Sequence, residues 1–120
     1  MLLPCELTIR YLLPPIRRGI AKELERLGLS QREIAKLLGF TQPAVSHYLK
    51  DKRGGVLKLS KNGTDKVKAL AREMYDGLER PLFLMRVCEI CKHEMQDRIL
   101  CDIHRSLEDV PETCDFCTRD

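Results

Sequence analysis

Residues 29–50, LSQREIAKLLGFTQPAVSHYLK, leave the backbone few options besides two short helices joined by a tight turn. Ser30 offers a hydroxyl oxygen to a free amide of a helix's first turn, and Glu33 stands three residues on, which makes a capping box. Ile34, Leu37 and Leu38 follow at helical spacing, and Ala35 is small enough for a second helix to cross closely. Gly39 stands where the first helix has to end in a left-handed residue. Thr41 caps a second helix, and Pro43 is tolerated in its first turn, where backbone amides have no intrahelical acceptor. Val45, Tyr48 and Leu49 form the inward face of that helix. Gln42, Pro43, Ser46, His47 and Lys50 stay outside. A second helix with a polar outer face of mainly short side chains suits the major groove of DNA.

The charge distribution agrees with that reading. Residues 1–62 hold 12 Lys and Arg against 5 Asp and Glu, whereas residues 63–120 hold 9 against 13. The basic half therefore contains the two-helix unit, as phosphate binding requires, and the acidic half is unsuited to lying along DNA. Lys50, Lys52 and Arg53 follow the second helix where a backbone contact is expected, with Gly54 and Gly55 marking a turn after them. The expected partners are double-stranded DNA and a second copy of the chain, because one reading head of this size covers too few base pairs to select a site.

Further organisation follows from the punctuation. Residues 4–13 read as a short lead-in helix or turn. Pro14 and Pro15 disfavour helix before them, so a new helix is expected to start there, with Ile16, Ile20, Leu24 and Leu27 as its apolar stripe and Gly28 at its end. Arg17, Arg18, Lys22 and Arg26 fall largely off that stripe, as solvated side chains or phosphate contacts. Residues 56–59 suit a short extended piece, and Ser60 or Asn62 opens the next segment. Val67, Leu70, Ala71, Met74 and Leu78 then share one helical face, which either closes the core or forms a seam between two copies. The break at Arg80-Pro81 divides the chain into residues 1–80 and residues 81–120. The fold class expected is all-α, a helix-turn-helix domain with a small cysteine-rich region stabilised by a metal or cluster.

That region carries three spaced pairs. Cys88 and Cys91, Cys101 and His104, and Cys114 and Cys117 each enclose two residues, and successive pairs start 13 residues apart. Five thiols and one imidazole in this pattern signal metal or cluster ligation. The segment is too small to bury much apolar surface, so such a group would supply its folding energy. A tetrahedral Zn²⁺ needs four of the six ligands, and the tight knuckle turn usually has a glycine after its CxxC, where Lys92 and Thr118 stand here. Residues 82–95 and 96–107 look helical instead, which places cysteines three apart on one face and suits a multinuclear iron–sulfur cluster. Zinc is the alternative cofactor, and a thiol–disulfide switch through CEIC or CDFC is a further one. Cys5, alone in sequence, reads as a small buried hydrophobe or as a ligand folded back onto the tail. His93 reads as surface. His47, on the second helix, reads as a base or phosphate contact.

Residues 29–50 resemble the phage-repressor, or XRE, type of helix-turn-helix through Gln31, Ala35, Gly39, Val45 and Tyr48. The whole chain is similar to a family of small archaeal transcriptional regulators through Pro4-Cys5-Glu6, Tyr11-Leu12-Leu13-Pro14, residues 29–54 and the CxxC, CxxH and CxxC pairs. The resemblance implies a DNA-binding regulator that senses iron–sulfur or redox status through its cysteines. Nothing in the chain suggests an enzyme. It has no Gly-rich phosphate loop and no Ser-His-Asp order, and no small-molecule substrate is expected. No run of about 18 apolar residues marks a membrane span, and no secretory signal is evident, so a cytoplasmic protein is expected.

Overall fold

The computed structural model describes residues 3–50, 58–111 and 113–114, and its regular structure over these residues is entirely helical. The order is α1 (Pro4–Leu7), a π-helical turn (Thr8–Leu12), α2 (Leu13–Arg26), α3 (Gln31–Leu38), α4 (Gln42–Lys50), α5 (Lys61–Tyr75), α6 (Arg80–Gln96) and α7 (Cys101–Leu107). The expected all-α class is therefore what the chain adopts.

The first departure from the sequence expectation is at the two prolines. The helix does not stop before them but runs on from Pro4 to Arg26 through the wider turn at Thr8–Leu12, where the Leu13 amide donates to the Thr8 carbonyl. Proline lacks an amide and its ring collides with the carbonyl four residues earlier. The carbonyls at risk are those of Arg10 and Tyr11, and both lie in the widened turn. A π turn moves them aside and lets the helix absorb Pro14 and Pro15.

The core forms where α2 and α5 meet. They run in the same direction, with Gly19 opposite Val67 and Glu23 reaching Arg72 at 3.4 Å. A Cβ at Gly19 would stand 2.7 Å from Val67 Cγ1, so this crossing distance demands glycine. Leu12, Ile16, Ile20 and Leu24 fill the interior together with Ile34, Leu38 and Val45 of the two-helix unit. Burying each such aliphatic side chain is worth about 1.5–3 kcal/mol. Val67, Leu70, Ala71 and Met74 are also buried in this chain's own core, with Leu78 packed partly against it. That stripe therefore closes the core.

The core continues past residue 80. Helix α6 begins after Glu79 with Pro81 in its first turn, and it places Phe83, Ile90 and Cys91 in the same apolar cluster, which Leu100 then joins. The helix expected over 96–107 is interrupted: Arg98 adopts φ 62°, and α7 starts at Cys101. A left-handed residue with a side chain costs about 1–2 kcal/mol, and here it follows the end of α6.

One polar contact fastens α6 to α5. Glu94 is fully buried, and its Oε1 accepts a hydrogen bond from Ser60 Oγ at 2.8 Å. The same Ser60 oxygen accepts from the Gly63 amide at 2.9 Å and so caps α5. A side chain on Gly63 would overlap the Glu94 carboxylate. Gly63→Ala is therefore expected to destabilise the fold by about 1–3 kcal/mol through overpacking and loss of the Ser60–Glu94 bond. Urea denaturation should show a smaller loss for the same change in a Glu94→Ala background, because the space is then free. Equal losses in the two backgrounds would show that Glu94 is not what Gly63 makes room for.

Candidate nucleic-acid interface and cysteine-rich tail

The two-helix unit is assembled as its punctuation requires. Ser30 Oγ accepts from the Glu33 amide at 3.1 Å, and Glu33 Oε1 accepts from the Ser30 amide at 3.2 Å, which closes the capping box of α3. Gly39 ends that helix at φ 74°, and the Phe40 amide donates to the Ala35 carbonyl at 2.9 Å. Thr41 Oγ1 accepts from the Ala44 amide at 3.3 Å at the start of α4. Val45 is buried, Leu49 is half-buried against the core, and Tyr48 is half-buried. On the outer side, Gln42, Pro43, His47 and Lys50 are exposed, and Ser46 is half-buried. Lys52 and Arg53 lie outside the described residues.

Two arginines that the sequence reading did not single out as supports hold this unit in place. Arg17 of α2 donates from Nη1 to Tyr48 Oη at 3.3 Å, and its guanidinium stands 5.5 Å from the centroid of the Phe40 ring. The Phe40 and Tyr48 rings are themselves 5.8 Å apart. A cation over an aromatic face is worth about 0.5–1 kcal/mol at a partly solvated site, so Arg17 braces α4 from behind rather than standing free in solvent. Arg80, the first residue of α6, donates from Nη2 to the Lys36 carbonyl at 3.3 Å. A cation there satisfies a carbonyl of α3's last turn and complements the negative end of its dipole. The available signal for Arg17 was its spacing from Tyr48 across two helices, which no single-helix periodicity reports. For Arg80 there was none.

Residues 10–56 match the family model of a helix-turn-helix domain. The chain carries a helix-turn-helix domain. That match covers the capped α3–α4 pair and the supporting α2, and it supports a DNA-binding regulator. No curated protein and no solved structure matches the chain. No helix among the described residues is long and apolar enough to cross a membrane.

The cysteine pairs are distributed over three elements. Cys88 and Cys91 lie on α6, Cys101 and His104 on α7, and Cys114 in the segment after it, where its carbonyl accepts from Arg98 Nη2 at 3.0 Å. Cys117 lies outside the described residues. Cys88 and Cys5 are exposed, Cys101 and Cys114 intermediate, and Cys91 buried. His104 Nε2 stands 3.5 Å from Glu108 Oε1, and His93 Nδ1 stands 3.6 Å from Asp97 Oδ2. Among the described residues, no three His, Cys, Asp or Glu side chains come close enough to hold a metal ion. The spacing that suggested one shared ligand set is thus not accompanied by convergence of the described side chains.

Cys91 differs most from an ordinary thiol. Burial pushes it up to about 11, the Cys88 thiol beside it and the Glu94 carboxylate add to the rise, and the Arg17 guanidinium opposes them. A raised thiol stays protonated at neutral pH and is a poor nucleophile. In the folded protein at pH 8, iodoacetamide should therefore label exposed Cys88 well before Cys91, and unfolding in urea should remove the difference. Peptide mass spectrometry over a time course reads this directly. Early labelling of Cys91 in the native state would contradict its burial.

Proposed function

We propose that this protein is a sequence-specific DNA-binding transcriptional regulator of the cytoplasm, that it acts as a homodimer, and that its C-terminal cysteines sense iron–sulfur or redox status. The observation that carries the DNA-binding part is the capped α3–α4 pair with the outer face of α4 open: Gln42, Pro43, His47 and Lys50 are exposed, and Arg17 braces the opposite face. On this reading Gln42 and Ser46 contact base edges in a major groove and Lys50 contacts phosphate, a role also assigned from the sequence to Lys52 and Arg53.

The homodimer reading rests on α6. Leu82, Leu84 and Met85 are large apolar side chains left in solvent, at 46%, 56% and 60% exposure. Leu82 and Met85 stand three apart and share one face of the helix. Pairing two copies through this face would bury it and give the two-fold symmetry that paired half-sites require.

DNA binding is tested by selecting an operator from random duplexes and measuring variants on it. Gln42→Ala and Ser46→Ala should each weaken operator binding by about 1–3 kcal/mol while sparing non-specific duplex. Lys50→Ala should weaken both alike and lower the salt dependence. Light scattering should show a dimer that Leu82→Asp with Met85→Asp reduces to monomers. Unchanged operator affinity in the Gln42/Ser46 double variant would sink the recognition assignment.

The cofactor reading assigns Cys88, Cys91, Cys101, Cys114 and Cys117 as thiolate ligands of an iron–sulfur cluster, with His104 beside it. Its support is the repeated pair spacing and the surplus over the four ligands that one zinc ion takes. Because the described ligands do not converge, binding a cluster means moving α7 and Cys114 toward the Cys88–Cys91 turn of α6, and it removes the proton that Cys91 otherwise keeps. An anaerobic preparation should contain iron and sulfide and be brown, and replacing Cys88 and Cys91 by Ser should remove both. Stoichiometric zinc without iron would overturn the cluster in favour of a zinc site.

A further inference from the structure

A groove of about 580 Å³ lined largely by cationic side chains runs along the α2–α5 crossing. Its floor is apolar, made by Pro15, Gly19, Leu59 and Val67. Its walls carry Arg18, Lys22 and Arg26 from α2, Lys68 and Arg72 from α5, and Lys58 before α5. Glu23 is the one carboxylate among them, 5% exposed, and it is already engaged by Arg26 and Arg72. Arg18, Lys22, Lys58 and Lys68 have no carboxylate partner among the described residues. The Arg18 Nε is fully buried and meets no acceptor among the described residues.

Four cations that line one concavity without a carboxylate partner among the described residues repel one another, and a buried guanidinium donor without an acceptor is costly. A multiply charged anion relieves both costs at once. Phosphate groups suit the donors, because guanidinium and ammonium groups give charge-assisted hydrogen bonds to several oxygens of one phosphate chain. The apolar floor and the volume, which lies within the range of small-molecule sites, leave room for an uncharged ring system beside that chain.

The groove does not face the surface assigned to DNA. At 3.6 residues per turn, Arg18, Lys22 and Arg26 stand about 100°, 140° and 180° around α2 from Arg17, and Arg17 is the residue that touches Tyr48 of α4. A duplex seated on the outer face of α4 is therefore on the other side of α2. We propose that this groove binds a small phosphorylated ligand of nucleotide size, with its phosphate chain on Arg18, Lys22, Lys58 and Lys68, as a second site separate from the helix-turn-helix interface. This inference is independent of the DNA-binding reading.

The test is isothermal titration of the full chain with ATP and with adenosine at fixed ionic strength, beside the affinity for a non-specific duplex. ATP should bind and adenosine should not. Lys22→Ala with Lys68→Ala should weaken ATP by about tenfold or more, the loss of two charge-assisted contacts. The duplex affinity should stay within about twofold, since neither lysine lies on its path. Both lysines are exposed, and circular dichroism checks that the variant folds. A second variant, Lys58→Ala with Lys68→Ala, should act alike. Absence of ATP binding, or ATP binding that neither double variant alters, overturns the proposal. A fall in duplex affinity without any ATP binding overturns it too, and assigns the cations to the DNA backbone. A chain that binds ATP but no duplex retains the groove and refutes the DNA-binding reading alone.

Discussion

Gly19 and Val67 set the distance between α2 and α5, and α3 and α4 pack on the apolar face that this pair presents. With hydrogen in place of a Cβ at residue 19, the valine side chain lies against the backbone of α2. The two helices run side by side in the same sense, so their apolar faces open together toward α3 and α4. Ile16, Ile20 and Leu24 meet Ile34, Leu38 and Val45 there, and Leu70, Ala71 and Met74 complete the enclosure. A wider crossing would leave voids beneath α4, and packed interiors lose dispersion contacts steeply over fractions of an ångström. The helix-turn-helix is thus held by a parallel helix pair of which one member, α5, lies outside the matched residues 10–56.

On the opposite side of that pair, charge takes over from packing. Arg26 and then Arg72 hold the Glu23 carboxylate below the ordinary range against the opposing effect of its burial. Folding therefore gains from the ionised form, and that gain is present above the ordinary carboxylate range and is lost as the pH falls through the depressed value. The two arginines it draws in are more than half exposed, so each pair adds little by itself. Its larger effect is geometric, because it fixes two cations at one end of a surface where four others have no carboxylate partner among the described residues.

Legibility in the sequence tracked how local the physics was. The cap at Ser30, the left-handed Gly39, the cap at Thr41 and the buried Val45 each depend on neighbours within five residues, and each was readable in advance. So was the face of α5, although periodicity alone left open whether it closed a core or joined two copies. The π turn was not readable, because proline's effect was judged on an α-helical template and the chain escaped by changing the helix type. Arg17 on Tyr48 and Phe40, Arg80 on the end of α3, and Glu94 on Ser60 depend on residues 23 to 44 positions apart, and no pattern in one helix carries them. The cysteine pairs were visible as a spacing. Where their side chains point depends on the left-handed break at Arg98, which a residue other than glycine conceals.

Helix α6 is fastened at both of its ends to the elements that flank the recognition helix. Arg80 holds the carbonyl end of α3 just before Gly39, and Glu94 holds Ser60 at the start of α5. Fourteen residues separate these anchors, about 21 Å along a helix. The helix therefore acts as a stay stretched behind the reading unit, and Cys88 and Cys91 sit within its span. A stay of this kind transmits rotation as well as tension: turning α6 about its axis moves both anchors in the same sense. Any chemistry at those two thiols that rolls the helix is thus felt on both sides of α4 at once, while the interior that seats Val45 stays where the α2–α5 pair puts it.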